Sequence, residues 1–123
     1  MSVSTSKYLQ VPYREGGREF DGCDCYGLIS LFSREEQGFD LLDYKREPTA
    51  LLESYCDHFD KIQIDEVQPF DFIVLSKEFE GDHCGIMIDN RHFIHMMIGC
   101  GVAVSKLSTW QRRVFGIYRR KRL

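Results

Sequence analysis

Two cysteines stand one residue apart in "FDGCDCYGLI", residues 20–29, and such a pair can hold a metal, close a disulfide or supply a nucleophilic thiolate. A structural zinc site draws on pairs spaced C-x2-4-C or H-x3-5-H, whereas here one residue parts the cysteines and the nearest histidine, His58, is more than thirty residues on. Zinc is therefore the weaker alternative, and no cofactor is implied. A disulfide framework fits no better. The five cysteines are odd in number and spread over positions 23–100, and "MSVSTSKYLQVPY" lacks the charged start and apolar run of a secretory leader. Reduced thiols in a chain made in the cytoplasm are the expectation.

A nucleophilic cysteine needs a lowered pKa and a nearby base. Asp24 suits a helix N-cap, and Leu28, Ile29, Leu31 and Phe32 give the apolar stripe of a buried helix running to about Glu36 and stopped near Gly38. Cys25 then falls in the first turn, where unpaired N–H groups and the helix dipole favour a thiolate. Cys23, in the loop ahead, gains less and reads as a packing or secondary thiol.

Four histidines can supply the base. His58 closes a predicted helix and His92 adjoins a turn, both common places for an exposed imidazole. His83 opens the strand "HCGIMI" and His95 lies twelve residues later in "HFIHMM". If the loop between them is Asp89-Asn90-Arg91, Ile88 pairs with His92 and Gly85 with His95. His83 and His95 are then diagonal neighbours on one face, roughly 5.5 to 8 Å apart at the backbone. A two-residue loop, Asn90-Arg91, puts them on opposite faces. Both hairpins are common, and both stay open at this point. On the first, His83 pairs with Cys25 and His95 orients His83, while Gly85 leaves room for substrate or the nucleophile helix.

The elements that must position these residues follow from the pattern. Residues 12–22, "PYREGGREFDG", read as a glycine-rich loop. A second helix is predicted over 48–59, with Pro48 in its first turn and Cys56 and His58 structural or exposed. Strands are predicted over 70–76, 83–88, 92–97, 102–107 and 114–120. Helices first and strands later imply an α+β domain with an antiparallel sheet. A length of 123 residues, 43% hydrophobic and 28% charged, fits one globular domain over 1–123. A net charge of −3 gives no reason to expect nucleic acid, and no apolar run is long enough for membrane insertion.

Several ordered pieces resemble the NlpC-type cell-wall cysteine peptidases, a papain-like superfamily. "PYREGG" is similar to that family's Tyr-x-x-Gly-Gly loop and "DCYGLI" to its Asp-Cys-Ser-Gly-Leu-Val motif. "QPFDFIVLS" is similar to its Pro-Gly-Asp-Leu-Val strand, and "DHCGIMIDNRHFIHM" to its His-Val-Gly-Ile-Tyr…Phe-Ile-His segment. The resemblance implies a papain-like fold with N-terminal helices on an antiparallel sheet. It also implies cleavage of peptide or amide bonds in peptidoglycan stem peptides, with Cys25 as nucleophile, His83 as base and His95 as orienting residue. Tyr13 is implied beside the site, with Asp24, Tyr26 and Gly85 in the substrate and oxyanion vicinity.

Three departures stand out: Tyr26 for the usual Ser, Phe70 for the Gly of Pro-Gly-Asp, and Cys23 in a longer approach. The aromatic after the cysteine, the "DG-x-DC" approach and the ending "VFGIYRR" resemble the subgroup found in bacteriophage and prophage tails. That likeness implies a virion tail acting at the cell wall, with other tail proteins as partners. The rival is a catalytically silent tail-assembly module of the same fold. Met87, Met96, Met97 and Trp110 read as packing, and Asp21, Asp24 and Asp71 do not form an acid pair.

Overall fold

The structure, a computed structural model, describes residues 4–40, 59–77 and 81–121. Among them a long helix, α1 (Cys25–Gln37), packs on a six-stranded sheet. Asp24 starts the helix, its carboxylate accepting the Gly27 N–H at 2.7 Å. Gly38 ends it in the left-handed conformation, donating its N–H to the Arg34 carbonyl at 3.0 Å. Leu28, Ile29, Leu31 and Phe32 are buried as the periodicity requires, each stabilising the fold by about 1.5 to 3 kcal/mol.

The sheet is built from β3 (Phe59–Ile62), β4 (Phe72–Lys77), β5 (Gly81–Met87), β6 (His92–Met97), β7 (Gly101–Lys106) and β8 (Val114–Arg120), in the spatial order β3-β8-β4-β5-β6-β7. Every neighbouring pair is antiparallel. Both faces are covered. Phe72, Val74, Cys84, Ile86, Ile94 and Met96 join α1, Tyr8 and Val11 in one core, while Ile73, Leu75, Met87, Phe93 and Ile117 join Val67 and Leu107 in the other. Burial on both sides is why the β4 sequence is a continuous apolar run. A short helix, α2 (Leu107–Trp110), follows β7. Among the described residues no helix is long and apolar enough to cross a membrane.

The predicted strands reappear with ends shifted by no more than two residues, and those over 92–97 and 114–120 coincide. Two readings need correction. The predicted loop 12–22 holds a small antiparallel hairpin, β1 (Arg18–Glu19) and β2 (Gly22–Cys23), too short to show as alternation. The helix predicted over 48–59 does not reach Phe59, which opens β3 and pairs with Arg120; residues 48–58, with Cys56 and His58, lie outside the described residues.

Phe70 is the one non-glycine with positive φ (74°) among the described residues. Its N–H is held by the Met87 carbonyl at 2.8 Å and its ring lies 6.0 Å from that of Phe32. Packing thus holds a side chain in a conformation that ordinarily selects glycine. Next to it, buried Asp71 accepts two bonds from the Arg119 guanidinium, at 2.8 and 2.9 Å, tying the β4 entry to the end of β8.

Candidate active site

The tip of α1 is fixed by the loop that precedes it. Asp24 Oδ2 accepts the Gly16 N–H at 3.0 Å and Oδ1 accepts Arg18 Nη1 at 2.9 Å. A side chain at Gly27 would collide with the Gly17 carbonyl at 1.9 Å, so glycine there lets the loop lie directly on the first helical turn. Cys23 N–H donates to the Pro12 carbonyl at 3.0 Å and Arg14 N–H to the Cys23 carbonyl at 2.9 Å, which aligns Tyr13 beside Cys23, two residues before Cys25. Tyr13 is 36% exposed. Partial burial, then the charges of Glu15, Asp24 and Cys25, hold its phenol above the usual pKa.

The hairpin between β5 and β6 adopts the three-residue loop. Ile88 N–H donates to the His92 carbonyl at 3.0 Å, and Gly85 pairs with His95. Asp89 closes the loop by accepting the N–H groups of Arg91 and His92, each at 2.7 Å. His83 and His95 consequently share a face, and His83 Nε2 meets His95 Nδ1 at 2.8 Å. The space beside Gly85 is taken by Phe93 and His95: a Cβ there would lie 2.8 Å from the Phe93 ring and 3.3 Å from the His95 Cβ. The absent side chain therefore makes room for β6, chiefly the Ile94 carbonyl and the Phe93 ring, and not for substrate or the nucleophile helix. His92 instead binds Asp89 at 3.0 Å and takes no part in this cluster.

The β5–β6 ladder stops at Gly85, whereas β5 continues along β4 to Gly81. The tip of α1 meets β5 in that unpaired stretch. Cys84, on the helix-facing side of β5, and His83 are the polar side chains that act on the Cys25 thiol. His83 Nε2 is committed to His95, which leaves Nδ1 for the thiol. The Cys84 bond first, then the bond and charge of His83, outweigh burial and the opposing charge of Asp24, bringing the Cys25 pKa down to about 5. A thiolate at neutral pH beside an imidazole can attack an electrophilic carbon and pass protons.

The other cysteines are placed differently. Cys23 is wholly buried and donates to the Glu19 carbonyl at 3.2 Å; burial, aided by Asp24, pushes its pKa up to about 11. Cys84 is buried among apolar groups, and burial, then its bond to Cys25, hold it well above the ordinary range. Tyr26 is also buried, with the Arg18 guanidinium 5.4 Å over its ring. Met87 and Met96 lie in the core, and Trp110 packs on the histidines. Cys84 and Ser105, whose hydroxyl oxygen lies 2.8 Å from His95 Nε2, are site residues that spacing did not suggest. Strand alternation from His83 places Cys84 towards α1, but Ser105 needed the β6–β7 register.

Among the described residues no three His, Cys, Asp or Glu side chains converge as a metal site. The chain is 36% identical over 105 residues to the probable endopeptidase NlpC of Escherichia coli K12, an alignment covering 82% of this chain and 64% of that protein. This chain thus spans less than two thirds of that relative's length. In structure it is similar to the NlpC/P60 domain of the peptidoglycan hydrolase SagA, with TM-score 0.71, 19% identity, and coverage of 94% of this chain and 92% of that one. It is also similar to a lipoprotein-like NLP/P60 family protein of Staphylococcus aureus Mu50, with TM-score 0.70, 25% identity, and coverage of 95% and 39%. The SagA likeness speaks to the fold, which is the papain-like α+β arrangement. Residues 10–119 match the NlpC/P60 family, and with these relatives in sequence and fold the chain belongs to that family.

Proposed function

We propose that this chain is a cysteine hydrolase acting on peptide or amide bonds of peptidoglycan stem peptides. The observation that carries the reading is the placing of Cys25 at the start of α1 against His83, whose Nε2 meets His95 Nδ1 at 2.8 Å; Cys84 and His83 together hold the thiol below its ordinary pKa. In this scheme Cys25 Sγ attacks the scissile carbonyl carbon, and His83 gives its proton to the departing amine as the carbon–nitrogen bond breaks. Water, deprotonated by His83, then cleaves the thioester and restores the thiol. The Cys25 N–H, at the first helical position and without an intrahelical acceptor, suits the developing oxyanion. Tyr13 stands on the loop side, beside Cys23 and two residues from the thiol in that alignment. The relatives named for endopeptidase and peptidoglycan hydrolase activity support the substrate class.

The setting we favour is a phage or prophage tail acting at the cell wall alongside other tail proteins, a reading supported by the "DGCDC" approach, Tyr26 and "VFGIYRR". Purified wall digested with the parent chain should release stem-peptide fragments, and Cys25→Ala should release none. Iodoacetamide should label Cys25 before Cys23, Cys84 or Cys100. Equal digestion by Cys25→Ala would overturn the mechanism.

A further inference from the structure

The histidine pair is backed by a third group. His95 is fully buried, and a buried imidazole needs partners for both nitrogens. Nδ1 faces His83 Nε2 and Nε2 faces Ser105 Oγ, each at 2.8 Å. A neutral imidazole carries one donor and one acceptor. If His83 exchanges a proton with Cys25 through Nδ1, its Nε2 must keep a hydrogen throughout, and His95 Nδ1 must accept it. His95 is then protonated at Nε2, and that N–H requires an acceptor. The Ser105 hydroxyl oxygen stands where one is needed, delivered by the pairing of Ser105 with Phe93 across β6 and β7.

The same corner of the chain packs on the buried histidine pair. Trp110, at the end of α2, sets its ring 5.1 Å from that of His95 in an edge-on arrangement and 6.4 Å from that of His83. The Arg113 guanidinium lies over the indole of Trp110, 5.5 Å from its centroid. Burial strengthens the bond between the two rings.

We infer that Ser105 is a positioning residue: by accepting the Nε2–H of His95 it selects the tautomer in which His95 orients His83 towards Cys25. This rests on the hydrolase reading above. The opposite polarity, with the hydroxyl donating to Nε2, would put the His95 hydrogen on Nδ1 and reverse the bond to His83.

The test pairs long-range 1H–15N spectra of the histidine rings with kinetics on purified wall, for the parent, Ser105→Ala and Ser105→Thr. The parent and Ser105→Thr should show His95 protonated at Nε2. Ser105→Ala should show mixed tautomers and a kcat lowered about tenfold or more, the scale for a group that orients a reacting ligand, with KM little changed. Should Ser105→Ala fail to fold, Ser105→Cys, close in shape and a poorer acceptor, is expected to move both readouts in the same direction. A parent His95 protonated at Nδ1, or a Ser105 variant with altered tautomer and full kcat, would overturn the inference. The spectra need no substrate, so an active Cys25→Ala would sink the hydrolase reading while leaving the role of Ser105 towards His95 separately measured.

Discussion

The acidity of Cys25 comes from two neighbours on consecutive positions of one strand, pointing to opposite faces. Cys84 offers a thiol hydrogen from the apolar core and His83 an imidazole from the end of the ladder. Removing the first should be measurable by itself. In Cys84→Val the midpoint of iodoacetamide labelling should rise from about 5 by about one pH unit, while Cys84→Ser, which keeps a donor, should stay near the parent value. An unshifted Cys84→Val midpoint would mean that His83 alone holds the thiolate. The sign for stability follows: because folding lowers the Cys25 pKa, its contribution is complete above the unfolded value of about 8.5 and is lost as pH falls through 5. The parent should therefore lose stability over that window more steeply than Cys84→Val.

Among the elements, the turn into β4 shows how a strained residue survives. Phe70 replaces the glycine expected there yet keeps its positive φ, because the bond to Met87 and the packing on Phe32 hold it. Ordinary propensity ranks alanine above glycine, but at this φ the order should invert. Phe70→Gly is expected to unfold about 1 kcal/mol harder than Phe70→Ala in urea, both below the parent; alanine equal to or above glycine would show that the turn relaxes. Legibility near the chemistry was uneven. The start of α1 was written in Asp24 and the apolar stripe behind it, whereas two- and three-residue hairpin loops fitted the sequence equally until the Asp89 carboxylate was found closing the longer one. Strand β3 was not legible, since four residues with Asp60 and Lys61 in the middle show no clear apolar alternation. Ser105 was hidden for another reason: a lone hydroxyl on a strand carries no signal until the neighbouring register is known.

Across the whole molecule, an ion pair ties the start of β4 to the end of β8, its neighbour in the sheet. Asp71 enters β4, Arg119 leaves β8, and the carboxylate is buried while the guanidinium is one third exposed. Asp71→Asn should cost about 2 to 3 kcal/mol, below the 3 to 5 kcal/mol of a fully buried pair because water still reaches Arg119. Chemical unfolding would read this directly, and a loss under about 0.5 kcal/mol would show the pair to be no more than a surface contact. The site itself is assembled from distant parts of the chain: Cys25 precedes His83 by 58 residues. Synthesis runs from the N-terminus, so a growing chain presents Cys25 long before β5 exists to receive it. Until then the thiol has an ordinary pKa of about 8.5 and is largely protonated. Order of synthesis thus acts as a safety catch, and the cell making this protein meets a reactive sulfur only in chains that have finished folding.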